Sequence, residues 1–139
     1  MILKAKNSAG VAQAVNTSTG YMSLATDTFY VPINPGDVAE IHALQIQCTS
    51  GAVLSDCHLE ACCFDDTADH GADLSWVTLN PASAVVPVTG SLIATAAVVT
   101  GSAGSALYNI AGLGSYRLRL VFTLSTGGSV RVGSWKGNS

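Results

Sequence analysis

The sequence predicts an all-β chain: an antiparallel β-sandwich, jelly-roll or immunoglobulin-like, of seven or eight short strands. Three observations predict it. Apolar and polar residues alternate with period 2 in several runs along the 139 residues. Turn-forming residues separate those runs at close spacing. The apolar spacing of an amphipathic helix is almost missing. Only residues 9–15 could turn helically, and they carry no sustained apolar stripe.

The elements follow in chain order. Residues 1–20 are polar, small and weakly patterned. They are expected to form an N-terminal arm, either a frayed terminus plus an edge strand or a segment ordered on a neighbouring subunit, ahead of a single sandwich domain at 21–139. Thr28 to Ile33 is a short strand closed by Asn34-Pro35-Gly36-Asp37. Residues 40–48 place Leu44, Ile46 and Cys48 on one face and Gln45 and Gln47 on the other, and Thr49-Ser50-Gly51 turns the chain. Residues 57–64 place Cys57, Leu59, Ala61 and Cys63 together, opposite His58, Glu60 and Cys62. Shorter strands are expected at 74–79, 91–99 and 106–110, parted by Asn80-Pro81 and Gly101-Ser102-Ala103-Gly104. The clearest signal is Arg117-Leu118-Arg119-Leu120-Val121-Phe122-Thr123-Leu124, which turns Leu118, Leu120, Phe122 and Leu124 inward. After Ser125-Thr126-Gly127-Gly128 the alternation resumes over Ser129-Val130-Arg131-Val132. The pair reads as a C-terminal hairpin.

Composition narrows the function. Hydrophobic residues make up 48% of the chain and charged residues 11%, with a mean hydropathy of +0.39. An ordinary soluble domain carries about 25% charged residues. A neutral Ser, Thr, Gly and Ala surface resists association poorly, so neighbouring subunits are expected to cover much of it. The net charge is −3, and the six Lys and Arg residues never form a run, which argues against nucleic acid as a partner. Arg117, Arg119 and Arg131 fall on strands and read as solvated-face residues, with partner contact as the alternative. Residues 74–116 contain no Lys, Arg, Asp or Glu. Pro81, Pro87, Gly90, Gly101, Gly104 and Asn109 interrupt them, so no spanning helix is predicted. The start lacks a basic segment followed by an apolar core, so no signal peptide is expected and the thiols should be reduced.

Cys48, Cys57, Cys62 and Cys63 lie near His42, His58 and His70 in sequence, but without the paired knuckles of structural zinc. Core packing fits better than metal or a disulfide, with Cys63 beside Leu59 and Ala61. Asp56, Glu60, Asp65, Asp66, Asp69 and Asp73 are six of the nine acids. Residues 65–73 resemble a calcium loop only superficially, since His70 and Trp76 stand where the EF-hand needs Gly and Glu. A solvated loop is favoured there over a loose Ca²⁺ site or a contact with a basic partner. No G-x-S-x-G and no phosphate-binding Gly-rich loop occurs. No catalytic, cofactor-binding or metal residues are therefore assigned. The candidate partner contacts are Asp65, Asp66, Asp69, Asp73, Arg117, Arg119 and Trp135.

From Leu59-Glu60-Ala61 the chain runs through the acidic loop to Ser75-Trp76-Val77-Thr78-Leu79-Asn80. Leu107-Tyr108-Asn109-Ile110, Tyr116-Arg117-Leu118-Arg119-Leu120 and Gly127-Gly128-Ser129-Val130-Arg131-Val132 follow. This succession resembles small β-sandwich virion proteins of tailed bacteriophages, namely capsid decoration (cement) proteins and related tail or fibre modules. The cysteine-bearing strand and the long 65–72 loop depart from that pattern. The resemblance implies a virion protein made in the host cytoplasm that binds the major capsid protein or other virion proteins. It also implies no catalytic motif, and no cofactor is expected. The neutral surface predicts a homo-oligomer, with a trimer favoured, and neither nucleic acid nor a membrane is an expected partner. The alternative is a tail-tip or fibre module that binds a host receptor or carbohydrate through Trp135, Tyr116 and the acidic loop.

Overall fold

A computed structural model describes residues 1–33, 43–49, 51–79, 104–110 and 116–136. Among these, nine strands and no helix are formed: β1 (Ile2–Leu3), β2 (Met22–Leu24), β3 (Thr28–Ile33), β4 (Ala43–Thr49), β5 (Val53–Cys62), β6 (Val77–Leu79), β7 (Gly104–Asn109), β8 (Arg117–Thr126) and β9 (Gly128–Trp135). Every pairing is antiparallel. The first sheet runs β1-β9-β4-β7, with β2 also on β9, and the second runs β3-β8-β5-β6. The chain is the antiparallel β-sandwich that its alternation predicts. The strand expected at 91–99 and the turns at 34–37 and 101–103 lie outside the described residues.

Alternation decides which side chains reach the core. Leu44, Ile46, Cys48, Val130 and Val132 from the first sheet meet Phe29, Val31, Cys57, Leu59, Leu118, Leu120, Phe122 and Leu124 from the second. Phe29 and Phe122 are cross-strand partners, and their rings stack with centroids 5.3 Å apart. Tyr108 on β7 spans the core and donates its hydroxyl proton to the Cys57 carbonyl at 3.1 Å, with Cys57 Sγ 3.2 Å away. Burial pushes the Cys57 thiol up to about 12, so this sulfur packs as an inert hydrophobe. Along β5 the alternation shifts between Val53 and Asp56, where a bulge absorbs a residue and re-aligns Cys57, Leu59 and Ala61 with the core.

Two expectations are corrected here. The expected C-terminal hairpin is not formed, because β8 belongs to the second sheet and β9 to the first. The glycines between them serve close approach. A Cβ on Gly127 would stand 2.6 Å from the Leu24 carbonyl oxygen, and one on Gly128 would stand 2.6 Å from the Ala52 nitrogen. Cys63 is exposed rather than core, because β5 ends at Cys62 and the chain turns back over it. Cys62 is the buried one of the pair.

Residues 1–20 lie along the sandwich. After β1, Ala5 is fully buried, and Lys6 exchanges two backbone hydrogen bonds of 2.8 Å with Tyr30 on β3. The segment therefore passes from the first sheet to the second before Val15 bridges Met22.

Candidate functional site

The outer face of the second sheet gathers a network of charged side chains. Alternation on β5 points Asp56, His58 and Glu60 away from the core, and the register sets Glu60 opposite Arg119 of β8. The segment after β5 folds back over this face, held by its own carbonyls. Arg119 donates to Glu60 Oε1 through Nε at 2.7 Å and to the Gly71 carbonyl through Nη2 at 2.9 Å. Its guanidinium carbon sits 4.5 Å from the Tyr30 ring centroid and 4.3 Å from that of Trp76. Arg117 donates to the carbonyls of Phe64 and Thr67, and Trp76 Nε1 donates to the Ala68 carbonyl.

The solvated-face reading of Arg119 is therefore corrected. At 1% exposure it is the largest fully buried side chain among the described residues, because the 62–76 segment and Tyr30 cover an outer strand face that period-2 reasoning assigns to water. Arg117 is half-buried, tied to the same segment.

The acidic loop divides. Lys6 pairs with Asp69 at 2.9 Å, and the Lys6 and His70 bonds outweigh burial to hold the Asp69 carboxyl below its usual range. Gly10 lies so close to the His70 ring that a Cβ would come within 2.6 Å of it, and its φ of +83° suits glycine. Asp73 accepts from the Ser75 backbone N–H, a turn cap that lowers its pKa. Asp65 and Asp66 are exposed. Among the described residues no group of three or more His, Cys, Asp or Glu side chains converges as a metal site would require.

His58 bridges two carboxylates, with Nδ1 2.7 Å from Asp56 Oδ2 and Nε2 2.8 Å from Glu60 Oε2. A neutral imidazole has one N–H and can satisfy only one of them, so this geometry selects the imidazolium. The Glu60 hydrogen bond, reinforced by Asp56, raises the His58 pKa above 6.5 against the opposing effect of burial. Burial would lift Glu60, but its bonds to His58 and Arg119 hold it below the ordinary range. A raised pKa in the folded state means that the stabilisation is complete below about pH 6.5 and fades as pH rises through the folded value. Urea unfolding should show wild type more stable than His58→Gln by about 1–2 kcal/mol near pH 6, the range of a charge-assisted contact. The gap should narrow steadily towards pH 8.5 or so. A pH-independent gap would show that His58 is not held as the cation.

Two outward features remain. At the end of the second sheet, an apolar cleft of about 460 Å³ is lined by Ala61, Cys62, Phe64, Val77, Leu79 and Tyr116. Phe64 and Val77 expose about 60% of their surface, and Leu74 nearby is fully exposed. On the outer face of the first sheet, Trp135 stands exposed beside a groove of about 270 Å³. The structure thus brings Asp69, Asp73, Arg117 and Arg119 together around one folded-back segment, and leaves Trp135 on the other sheet. Sequence reasoning missed Tyr30 and Glu60 as partners of Arg119, and Lys6 as the partner of Asp69. Only the Glu60–Arg119 register could have been sought in the alternation of two paired strands. Comparison with known protein families, with curated proteins and with solved structures finds no match. Among the described residues no helix is long and apolar enough to cross a membrane.

Proposed function

We propose that this chain is a bacteriophage virion structural protein, a capsid decoration (cement) protein that binds the outer shell as a small homo-oligomer, with a trimer favoured. The apolar cleft around Phe64, Val77 and Tyr116 carries this reading. Large apolar side chains held open to water on a sandwich with only 11% charged residues favour burial against another protein. Its partners are the major capsid protein, other virion proteins and copies of itself, and its site is the virion, after synthesis in the host cytoplasm. The titratable groups on the second sheet are engaged with one another and with backbone carbonyls, an arrangement that supports a binding role over catalysis. Each contact need bury only a standard area of roughly 1,600 Å², since repeated contacts on a lattice reinforce one another.

Pelleting with empty phage capsids tests the proposal. The wild-type chain should co-sediment saturably, and Val77→Asp should weaken capsid binding by about tenfold or more while leaving the fold intact, because the side chain is already exposed. A monodisperse monomer at about 50 μM that ignores every capsid offered would overturn it, and the tail-tip or fibre reading would lead.

A further inference from the structure

The groove on the first sheet has an unusual floor. On the outer face β9 presents Arg131, Gly133 and Trp135 in turn, and β4 sets Gln47, Gln45 and Ala43 directly opposite them. On the other side of β9, Ile2 lies opposite Gly133. Gly133 is thus the bare centre of a walled patch, between Ile2 and Gln45 across the strands and between Arg131 and Trp135 along its own.

Nothing in the fold demands glycine there. Its φ is not among the positive ones, and a Cβ would meet only the Met1 carbonyl oxygen, at an ordinary 3.7 Å. Gly127 and Gly128 on the same stretch of chain are the contrast, since a Cβ on either would collide with backbone. Glycine inside a strand weakens it, and it often marks a bulge, a bend, or a place that a ligand or another backbone approaches closely. At Gly133 the nearest backbone atom leaves ordinary room for a side chain, which points to the ligand.

The walls describe the ligand. Trp135 offers an exposed aromatic face, 61% accessible, against which the C–H face of a ring can lie. Gln45 is exposed, and its amide can both donate and accept. Arg131 is held in place: Nη2 donates to Gln47 Oε1 at 2.5 Å, and the guanidinium lies 4.9 Å over the Tyr21 ring. Tyr21 donates its hydroxyl proton to the same Gln47 oxygen at 3.1 Å, which fixes that amide as well. Among the described residues no carboxylate pairs with Arg131, so its charge is left for an incoming anion. Both backbone edges of β9 are already paired with β1 and β4, so the floor offers no edge for an added peptide strand. The volume, about 270 Å³, suits a small ring system.

We infer that this groove binds an acidic saccharide: a sugar ring lies on Gly133 and against Trp135, Gln45 reads its hydroxyls, and Arg131 holds its carboxylate. The site stands on a different sheet from the apolar cleft and does not depend on a place on the capsid.

Titrating the full chain with oligogalacturonate and sialyllactose, and with neutral maltooligosaccharides alongside, tests this through Trp135 emission. The acidic sugars should give a saturable change with a Kd near 1 mM or tighter. Gly133→Val fills the floor with a residue strands favour, so it should keep the fold and thermal stability while raising that Kd about tenfold or more. Trp135→Ala, read by calorimetry, should weaken binding similarly, and Arg131→Gln should abolish the preference for acidic over neutral sugar. The inference fails if neither acidic sugar gives a saturable change, or if Gly133→Val binds as wild type does. It also fails if Gly133→Val changes only the oligomeric mass, which would make this face a contact between copies.

Discussion

Phe122→Ala is expected to destabilise the sandwich by about 3–5 kcal/mol, the range for removing a fully buried ring from a core that cannot close over the space. Phe122 has no exposed surface, stacks on Phe29 across the β3–β8 pair, and lies opposite Cys57 on the other side of β8. Its neighbour Thr123 points the other way and is half-buried, and its hydroxyl meets that of Thr28 at 2.9 Å on the outer face. Thr123→Ala loses one partly hydrated hydrogen bond and should cost about 1 kcal/mol or less. Urea midpoints for the two variants, compared at equal m-value, read the difference directly. Similar costs at the two positions would show that the inward register of β8 is wrong.

That register was legible because Leu118, Leu120, Phe122 and Leu124 repeat a period of 2 over a strand long enough to show it. The same holds for Leu44, Ile46 and Cys48 on β4, and for the bounds of β3. The destination of β9 was not legible. Gly-containing turns join hairpins and sheet-to-sheet crossings alike, and what separates them here is the close approach of Leu24 and Ala52, two distant parts of the chain. β1 and β2, at two and three residues, are too short to carry any periodicity. Of the candidate contacts, Trp135 is exposed at the end of β9 on the first sheet. Arg119 was misread for a definite reason: alternation tells which sheet face a residue takes, and cannot tell whether a loop will cover that face. The cover is the acidic segment, whose sequence looks solvated until Lys6, Arg117 and Arg119 are seen holding it down.

Arg119→Met should cost a further large amount, again about 3–5 kcal/mol, because it leaves charge and backbone groups under the cover without their partner. Glu60, whose side chain is only 13% exposed, loses the hydrogen bond from Nε and the ion-pair contact with Nη2, and the Gly71 carbonyl loses its donor. Tyr30 and Trp76 lose the cation between them and the fold-back of the loop. Methionine keeps most of the volume, so the cost measures the polar network more than a cavity. Removing the carboxylate as well separates the contributions. If the stranded Glu60 charge is the main cost, Glu60→Leu combined with Arg119→Met should be less destabilising than the sum of the single changes by 1–3 kcal/mol or so, the range of coupling for groups in direct contact. Trp76 reports where the damage goes. It is 7% exposed, held by Ala68 and stacked on Arg119, so a released segment should shift its emission to longer wavelength well before global unfolding in urea. A Trp76 transition that coincides with loss of the β-sheet circular dichroism signal in Arg119→Met would show that the segment melts with the sandwich and that Arg119 does not clamp it separately.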